Sequence, residues 1–252
     1  MSKVLGVVPV RMGSSRFPGK PLVEINGIPM AAHCYFRALQ SKTLDKVVLA
    51  TPDDEILNFA KKYNIEALKT SHVHERASER AGEVLDIFFS QGLKFEYVLL
   101  LQGDEPQINP LEIDNLTKRL IISKNSVVNL IHPIKDKDMK NPSIVKSVLD
   151  LDGNIIFFSR SQIPYRSNEG FRQLGMIGFT SSILKKYCEL KPTKLEILES
   201  IDMMRFLENN IKIESLITKD EIIGVDHPSD IKKVEIIMKD DEIVKEYLPL
   251  FK

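Results

Sequence analysis

Long apolar runs, cysteine and an excess of charge of either sign are all scarce or missing in the 252-residue chain. The two cysteines, Cys34 and Cys188, lie far apart and are too few for a disulfide framework. Lys plus Arg number 35 and Asp plus Glu number 35, a formal net charge of zero. Coating nucleic acid or an anionic membrane draws on a clear basic excess, because the affinity comes largely from released counterions. Neither partner is expected here. No apolar stretch reaches the roughly 20 residues that cross a bilayer. The opening MSKVLGVVPVRMG carries one lysine, an apolar run too short for a secretory signal and no small-residue cleavage site. The expectation is a soluble, cytoplasmic protein. Internal repeats, low-complexity tracts and long linkers are missing too, so one domain over residues 1–252 is the simplest organisation. Hydrophobic residues at 43% and charged residues at 28% leave an ordinary globular composition.

What is present is an alternation. Residues 4–10 (VLGVVPV), 46–51 (KVVLAT) and 97–101 (YVLLL) are short apolar runs, as expected of strands buried on both faces. Helices are expected over 29–40, with proline at the start and Met30, Cys34 and Ala38 on the apolar face, over 54–63 and over 79–91, with a short strand at 66–70. Strands alternating with helices of roughly 10–15 residues mean βαβ units and a mainly parallel sheet. In such sheets the ligand sits at the carboxyl ends of the strands. After about residue 125 the pattern changes. Strand candidates at 127–131, 144–149, 155–159 and 174–179 follow one another across turns such as Asp152-Gly153-Asn154, without helices between them. An antiparallel lobe over about 126–210 is expected, inserted into a core made of 1–125 and 211–252. Helices at 182–190 and 195–209, a strand at 211–217 and a helix opening at Pro228 complete the chain.

The segment after the first strand sets two glycines, two serines and three cations in a row: Arg11-Met12-Gly13-Ser14-Ser15-Arg16-Phe17-Pro18-Gly19-Lys20. Glycine lets the backbone approach an anion closely, and exposed N–H groups form a phosphate cradle. Arg11, Arg16 and Lys20 can neutralise several phosphate charges at once. The loop is not a P-loop, since it has one residue too many between Gly13 and Gly19, and Pro21 stands where a hydroxyl belongs. A solvated basic turn is the other reading of these residues.

Asp104 ends the most apolar strand, behind Gly103, and a carboxylate there suits Mg²⁺, which takes one or two carboxylates plus phosphate oxygens and water. It equally suits a cap for the helix starting near Pro110. Asp226, in Gly224-Val225-Asp226-His227-Pro228, is the second such acid, and the cap of the helix at Pro228 is its alternative role. The basic loop and both acids together describe a metal-triphosphate site. His72 and His74 have no third ligand nearby and read as a solvated loop. Cys34, Cys188, Met203 and Met204 read as packing.

Five segments carry a resemblance: VVPVRMGSSRFPGKPLVEINGIPM, LLLQGDEPQI, NPSIVKSVLD, IIFFSRSQIPY and GVDHPSDIKKVE, in that order. They resemble the CMP-KDO synthetases, the 3-deoxy-manno-octulosonate cytidylyltransferases, along nearly the whole chain. The resemblance implies the Rossmann-like fold of nucleotide-diphospho-sugar transferases. It also implies a homodimer and a reaction of CTP with the anomeric hydroxyl of a sugar acid, giving a CMP-sugar and pyrophosphate for cell-surface polysaccharide. By position, Arg11 and Lys20 would hold the triphosphate with Gly13, Ser14, Ser15, Arg16 and Arg80. Gln102 would help read the nucleotide, and Asp104 and Asp226 would bind Mg²⁺. Arg11, Lys20 and Asp104 would be the catalytic set. On the acceptor side the resemblance points to Arg160, Gln173, Ile177, Asp202, Met203 and Arg205.

The departures fall in that acceptor set. A family His-Leu-Gly-Ile-Tyr run is here Gln173-Leu174-Gly175-Met176-Ile177, a Leu-Glu-Gln-Leu-Arg run is Ile201-Asp202-Met203-Met204-Arg205, and Ser-Gly-Thr-Glu-Arg is Arg76-Ala77-Ser78-Glu79-Arg80. If Gln173, Ile177 and Met203 line the pocket, the acceptor site has lost three polar partners. The expectation is then a non-KDO acid, another ulosonic acid or a phosphonate, with Arg160 and Arg205 still holding its charge. A non-catalytic nucleotide-binding module is the reading from a different class. Repacking outside the site is the plainer account of the same replacements.

Overall fold

The computed structural model describes residues 3–13 and 17–251, so the expectations for Ser14, Ser15 and Arg16 lie outside the described residues. The first half alternates as the apolar runs require: β1 (Val4–Pro9), a small hairpin of β2 (Glu24–Ile25) and β3 (Ile28–Pro29), α1 (Met30–Leu39), β4 (Lys46–Thr51), α2 (Asp54–Lys62), β5 (Ala67–Lys69), α3 (Ala77–Ser90), β6 (Tyr97–Leu101) and α4 (Pro110–Ile122). Then come β7 (Val127–Lys135), α5 (Lys137–Lys140), β8 (Lys146–Leu149), β9 (Asn154–Ser159) and β10 (Glu169–Thr180). The chain ends with α6 (Ser181–Glu189), α7 (Lys194–Glu199), α8 (Met203–Glu208), β11 (Ile213–Ile217), α9 (Pro228–Met238) and α10 (Glu242–Lys245). The helix expected over 195–209 is two helices, because Ser200 takes a left-handed conformation (φ 54°) that ends α7.

Among the described residues nine strands form one sheet in the order β5-β4-β1-β6-β10-β7-β11-β9-β8. It is mixed rather than mainly parallel. The parallel run is β5-β4-β1-β6, and β10 then enters antiparallel to both β6 and β7. Strand residues alternate between the two faces, as the pleat dictates. Val4, Val8, Leu99 and Leu101 pack on one face under α1, α2 and α4, while Leu5, Val7, Val98 and Leu100 pack on the other under α3, α6 and α8. Burial on both sides accounts for the unbroken apolar strands. Among the described residues no helix is long and apolar enough to cross a membrane.

The strands after residue 125 extend this sheet. β10 runs beside β6 over Met176–Thr180, shifts register between Gln173 and Ile177, and pairs with β8 at Phe171 and Arg172. β10, β7, β11, β9 and β8 thereby close a ring of pairings. Where β10 exchanges β6 for β8 the sheet forks, and the segment leaving β6 emerges at the fork. A crevice opens there.

Candidate active site

Four backbone segments meet at the fork. Gly103 leaves β6 so close to the end of β1 that a Cβ on it would lie 2.3 Å from Val10 Cγ1 and 2.9 Å from the Pro9 carbonyl oxygen, so only glycine fits without a shift. Gln102 N–H donates to the Gly175 carbonyl in the β10 irregularity (2.9 Å), and Val225 N–H donates to the Asp104 carbonyl (2.8 Å). The basic loop is fixed at its base, where Met12 N–H donates to Asp53 Oδ2 (2.7 Å) and Gly19 N–H to the Met12 carbonyl (3.0 Å). Gly19 has φ 75°, a conformation that favours glycine. Lys20 then reaches across, its Nζ donating to Asp104 Oδ2 (2.7 Å) and to the Val225 carbonyl (2.9 Å).

Two joined compartments flank this knot. One, of about 640 Å³, is lined by Arg11, Lys20, Arg76, Arg80, Gln102 and Asp104 among others. The second, of about 800 Å³, is lined by Asp104, Glu105, Arg160, Arg172, Gln173, Asp202 and Asp226 among others. Arg76, Gln102, Asp104, Arg160 and Ser200 line both. The first is cationic and the second carries the acids, with Asp104 at the boundary.

The capping alternatives are now decided. Asn109, whose Oδ1 accepts from Leu111 N–H (3.0 Å), caps α4, so Asp104 is not spent there. His227 precedes α9, and Asp230 accepts from the N–H groups of Asp226 and His227. Asp104 and Asp226 both line the second compartment, and the Glu105 carboxyl feels both charges. Two carboxylates beside a cation-lined compartment are a donor set that fits Mg²⁺.

Arg80 is buried, and its guanidinium donates to Thr70 Oγ1 and to the carbonyls of Ser71 (3.1 Å) and His74 (3.4 Å). It therefore shapes the 70–76 segment as well as lining the first compartment. Burial, then Arg11, pulls its pKa down. Gly13 has open space where a Cβ would be. His74 is bound to Glu83 through Nε2 (2.6 Å) rather than paired with His72.

Half of the acceptor-side expectations line the crevice: Arg160, Gln173 and Asp202. Arg160 donates through Nε to the Glu199 carbonyl (2.9 Å), and Gln173 Nε2 donates to Asn129 Oδ1 (2.8 Å). Asp202 accepts from Ser78 Oγ (2.8 Å), and burial raises its pKa. The other half are corrected. Ile177, on β10, and Met203, on α8, have no exposed surface and belong to the core packed between the sheet and α3, α6 and α8. Arg205 is also buried, its guanidinium held by Glu196 (Nε 2.7 Å, Nη2 2.6 Å) and Glu79 (2.9 Å) and stacked over Tyr187. It closes an internal ion cluster and does not line either compartment. Of the three polar partners expected to be lost, two are core packing and one is Gln173.

The sequence reading missed Asp53, Glu105, Arg172 and Gly175. Glu105 follows Asp104 directly in the loop after β6. It is 6% exposed, and burial pushes its carboxyl up to about 7, against the opposing pull of Arg172. Asn129, a buried amide inside the apolar run VVNLI, was a further signal. Its Nδ2 donates to the carbonyls of Leu174 (3.0 Å) and Met176 (3.2 Å) and so props the irregular stretch of β10.

The chain is similar to known proteins. The family described as cytidylyltransferase matches residues 5–213. A 3-deoxy-manno-octulosonate cytidylyltransferase of Thermodesulfovibrio yellowstonii is 36% identical over 243 residues, which span 91% of this chain and 95% of that protein. The mitochondrial enzyme of the same name from Arabidopsis thaliana is 36% identical over 95% of this chain and 84% of its own. Among solved structures, a CMP:2-keto-3-deoxy-manno-octonic acid synthetase complexed with CTP superposes with a TM-score of 0.87 at 32% identity, covering 95% of this chain and 100% of that one. A putative glucose-1-phosphate thymidylyltransferase from Bacillus anthracis shares the fold (TM-score 0.68, 12% identity). Fold and crevice are those of a nucleotidyltransferase. The chain belongs to the cytidylyltransferase family.

Proposed function

We propose that this protein transfers the cytidylyl group of CTP to the anomeric hydroxyl of 3-deoxy-manno-octulosonate, or of a closely related sugar acid, and releases pyrophosphate. The observation that carries the reading is the knot of Lys20, Asp104 and the Val225 backbone at the junction of a cationic and an acidic compartment. The relatives named for this reaction, and the related structure holding CTP, support it.

The acceptor oxygen attacks the α-phosphorus in line. A new P–O bond forms, the bond to the β-phosphate oxygen breaks, and the hydroxyl proton leaves with the departing anions or solvent. Arg11 and Lys20 hold the triphosphate and take up charge that grows on the leaving pyrophosphate. Gln102 sits beside them to meet the nucleotide, and Arg80 keeps the facing 70–76 segment in place. Arg160, Gln173 and Asp202 orient the acceptor, which supplies much of the rate by proximity. Asp104 and Asp226 would hold Mg²⁺, whose chemistry when bound is to neutralise phosphoryl oxygens and acidify the acceptor hydroxyl. Nothing in these roles calls for a nucleophilic serine or cysteine.

The whole chain acts as one cytidylyltransferase domain, with residues 126–210 carrying acceptor contacts and the surface of a two-fold homodimer. Two unpaired thiols, Cys34 and Cys188, suit a reducing cytoplasm. A second reading keeps CTP but takes a different acid. Gln173, standing where the family has histidine, is what favours it. Pyrophosphate release with CTP, Mg²⁺ and a panel of acidic acceptors decides between them. Release with KDO is expected, and silence across the whole panel would reject cytidylyl transfer.

A further inference from the structure

We propose that Glu105 and Arg172 act as a pair that reads a hydroxyl group on the acceptor, remote from the reacting oxygen, and so restricts this enzyme to hydroxylated acids. The inference rests on the acceptor-side reading of the second compartment and names a specificity contact within it.

Glu105 is more than nine-tenths buried. Its Oε1 accepts from Gly175 N–H (2.8 Å), which fixes the carboxylate plane against β10. Its Oε2 is buried and has no hydrogen-bond partner among the described residues. Arg172 Nε is buried without a partner as well, and both side chains line the second compartment. They come from two of the segments that meet at the fork, Glu105 from the acid loop after β6 and Arg172 from β10 just before its irregularity. A buried polar atom is costly to leave unpaired, so an orphaned acceptor and an orphaned donor in one compartment point to something that satisfies both.

The chemistry of that group follows from the two unpaired atoms. A second carboxylate or a phosphonate oxygen would accept from Arg172 Nε but bring no proton to Glu105 Oε2. An ammonium would donate to Glu105 and be repelled by Arg172. A hydroxyl donates and accepts from one atom and carries no charge. A site built around such a pairing discriminates strongly against an analogue that lacks it. The acceptor favoured by this pair is an acid that carries a hydroxyl at that position, and an acid without one is disfavoured.

The test uses the full-length protein with CTP, Mg²⁺ and KDO as the probe. Glu105→Gln keeps an oxygen for Gly175 N–H and replaces the other with an amide NH₂. Arg172→Met removes the donor while filling similar space. Each is expected to raise the KM for KDO about 10-fold or more, while the KM for CTP stays within about twofold. A general loosening of the fork would move both constants together. In the wild type, one singly deoxygenated KDO analogue should lose about 10-fold in kcat/KM, and Glu105→Gln should no longer distinguish it from KDO. The analogue series decides the matter even if a variant fails to fold. Unchanged KDO kinetics in both variants, or wild-type preference for an acid without hydroxyls, would overturn the pair's role and leave cytidylyl transfer standing. Absence of pyrophosphate release with every acceptor would overturn both.

Discussion

Lys20 and Asp104 face each other across the junction at 2.7 Å, their side chains 13% and 29% exposed, and single substitutions there separate chemistry from folding. A partly exposed pair adds little to stability, so Asp104→Asn is expected to fold normally. It should lose about 10²-fold or more in kcat, because a charged ligand has gone from the phosphoryl site. Titrating Mg²⁺ against turnover checks this, and near-normal rates at low Mg²⁺ would reject the metal assignment. Arg205 makes the opposite case. Its partners Glu196 and Glu79 are 0% and 20% exposed, so Arg205→Met leaves the buried Glu196 carboxylate with Arg76 (3.2 Å) as its remaining cation. The expected loss is about 2–3 kcal/mol of stability, measured by urea unfolding. The KM values of the fraction that remains folded should be unchanged, since Arg205 does not line the crevice.

At the scale of elements, the irregular stretch of β10 is the device that makes the site. It releases β6, pairs β8, and offers the Gly175 carbonyl and N–H to Gln102 and Glu105. A Cβ on Gly175 would lie 2.6 Å from Gln102 Cβ and 3.0 Å from Glu105 Cδ. Gly175→Ala is therefore expected to push the acid loop away and lower kcat/KM by about 10-fold or more, since small misplacements of reacting groups are costly. The far-UV circular dichroism should be unchanged. A wild-type rate would show that the loop does not depend on β10. This element also shows what the sequence concealed. The strands β1, β4 and β6 were legible because burial on both faces leaves unbroken apolar runs. The first half of β10, Glu169 to Gln173, was not, because it is polar and held by two neighbours rather than by apolar faces. Ile177 and Met203 were misplaced for a related reason. A family position says which residue aligns, but only the pleat and the packing say which way it points. Arg11, Lys20, Gln102, Asp104 and Asp226 were legible because each sits at a strand end or loop where the fold delivers side chains to the crevice.

The whole molecule is closed by its C-terminal segment, which packs back on α1. Arg37 donates to Asp241 (2.6 Å) and to the Ile108 carbonyl (2.5 Å), Gln40 to the Ile243 carbonyl (3.3 Å), and Tyr247 stacks on Phe36. Assembly can be checked at the same scale. Sedimentation should give a dimer at micromolar concentration, and a fully active monomer would reject the proposed two-fold surface. The deepest part of the C-terminal clasp is His33, which has no exposed surface. Its Nε2 lies 2.9 Å from the Ile25 carbonyl, so that nitrogen carries the proton, and Nδ1 accepts from the Tyr247 hydroxyl at 2.7 Å. Both nitrogens are satisfied by the neutral ring, and burial lowers the pKa from 6.5 to about 4. Above pH 6.5 the folded and unfolded chains both hold a neutral His33, and it adds no pH dependence. Below that, the unfolded chain takes up a proton that the folded one refuses, so stability falls as the pH drops towards 4. Between pH 7 and pH 5 the loss assignable to this residue is about 2 kcal/mol. In His33→Gln the amide can still donate to Ile25 but no longer titrates. The variant should be less stable at pH 7 by about 1 kcal/mol, for the lost acceptor of Tyr247. Its unfolding midpoint in urea should then fall less steeply with acid, so that the two proteins converge between about pH 6 and pH 5.5 and the variant is the more stable at pH 5. Parallel losses in both would place the acid sensitivity elsewhere in the molecule.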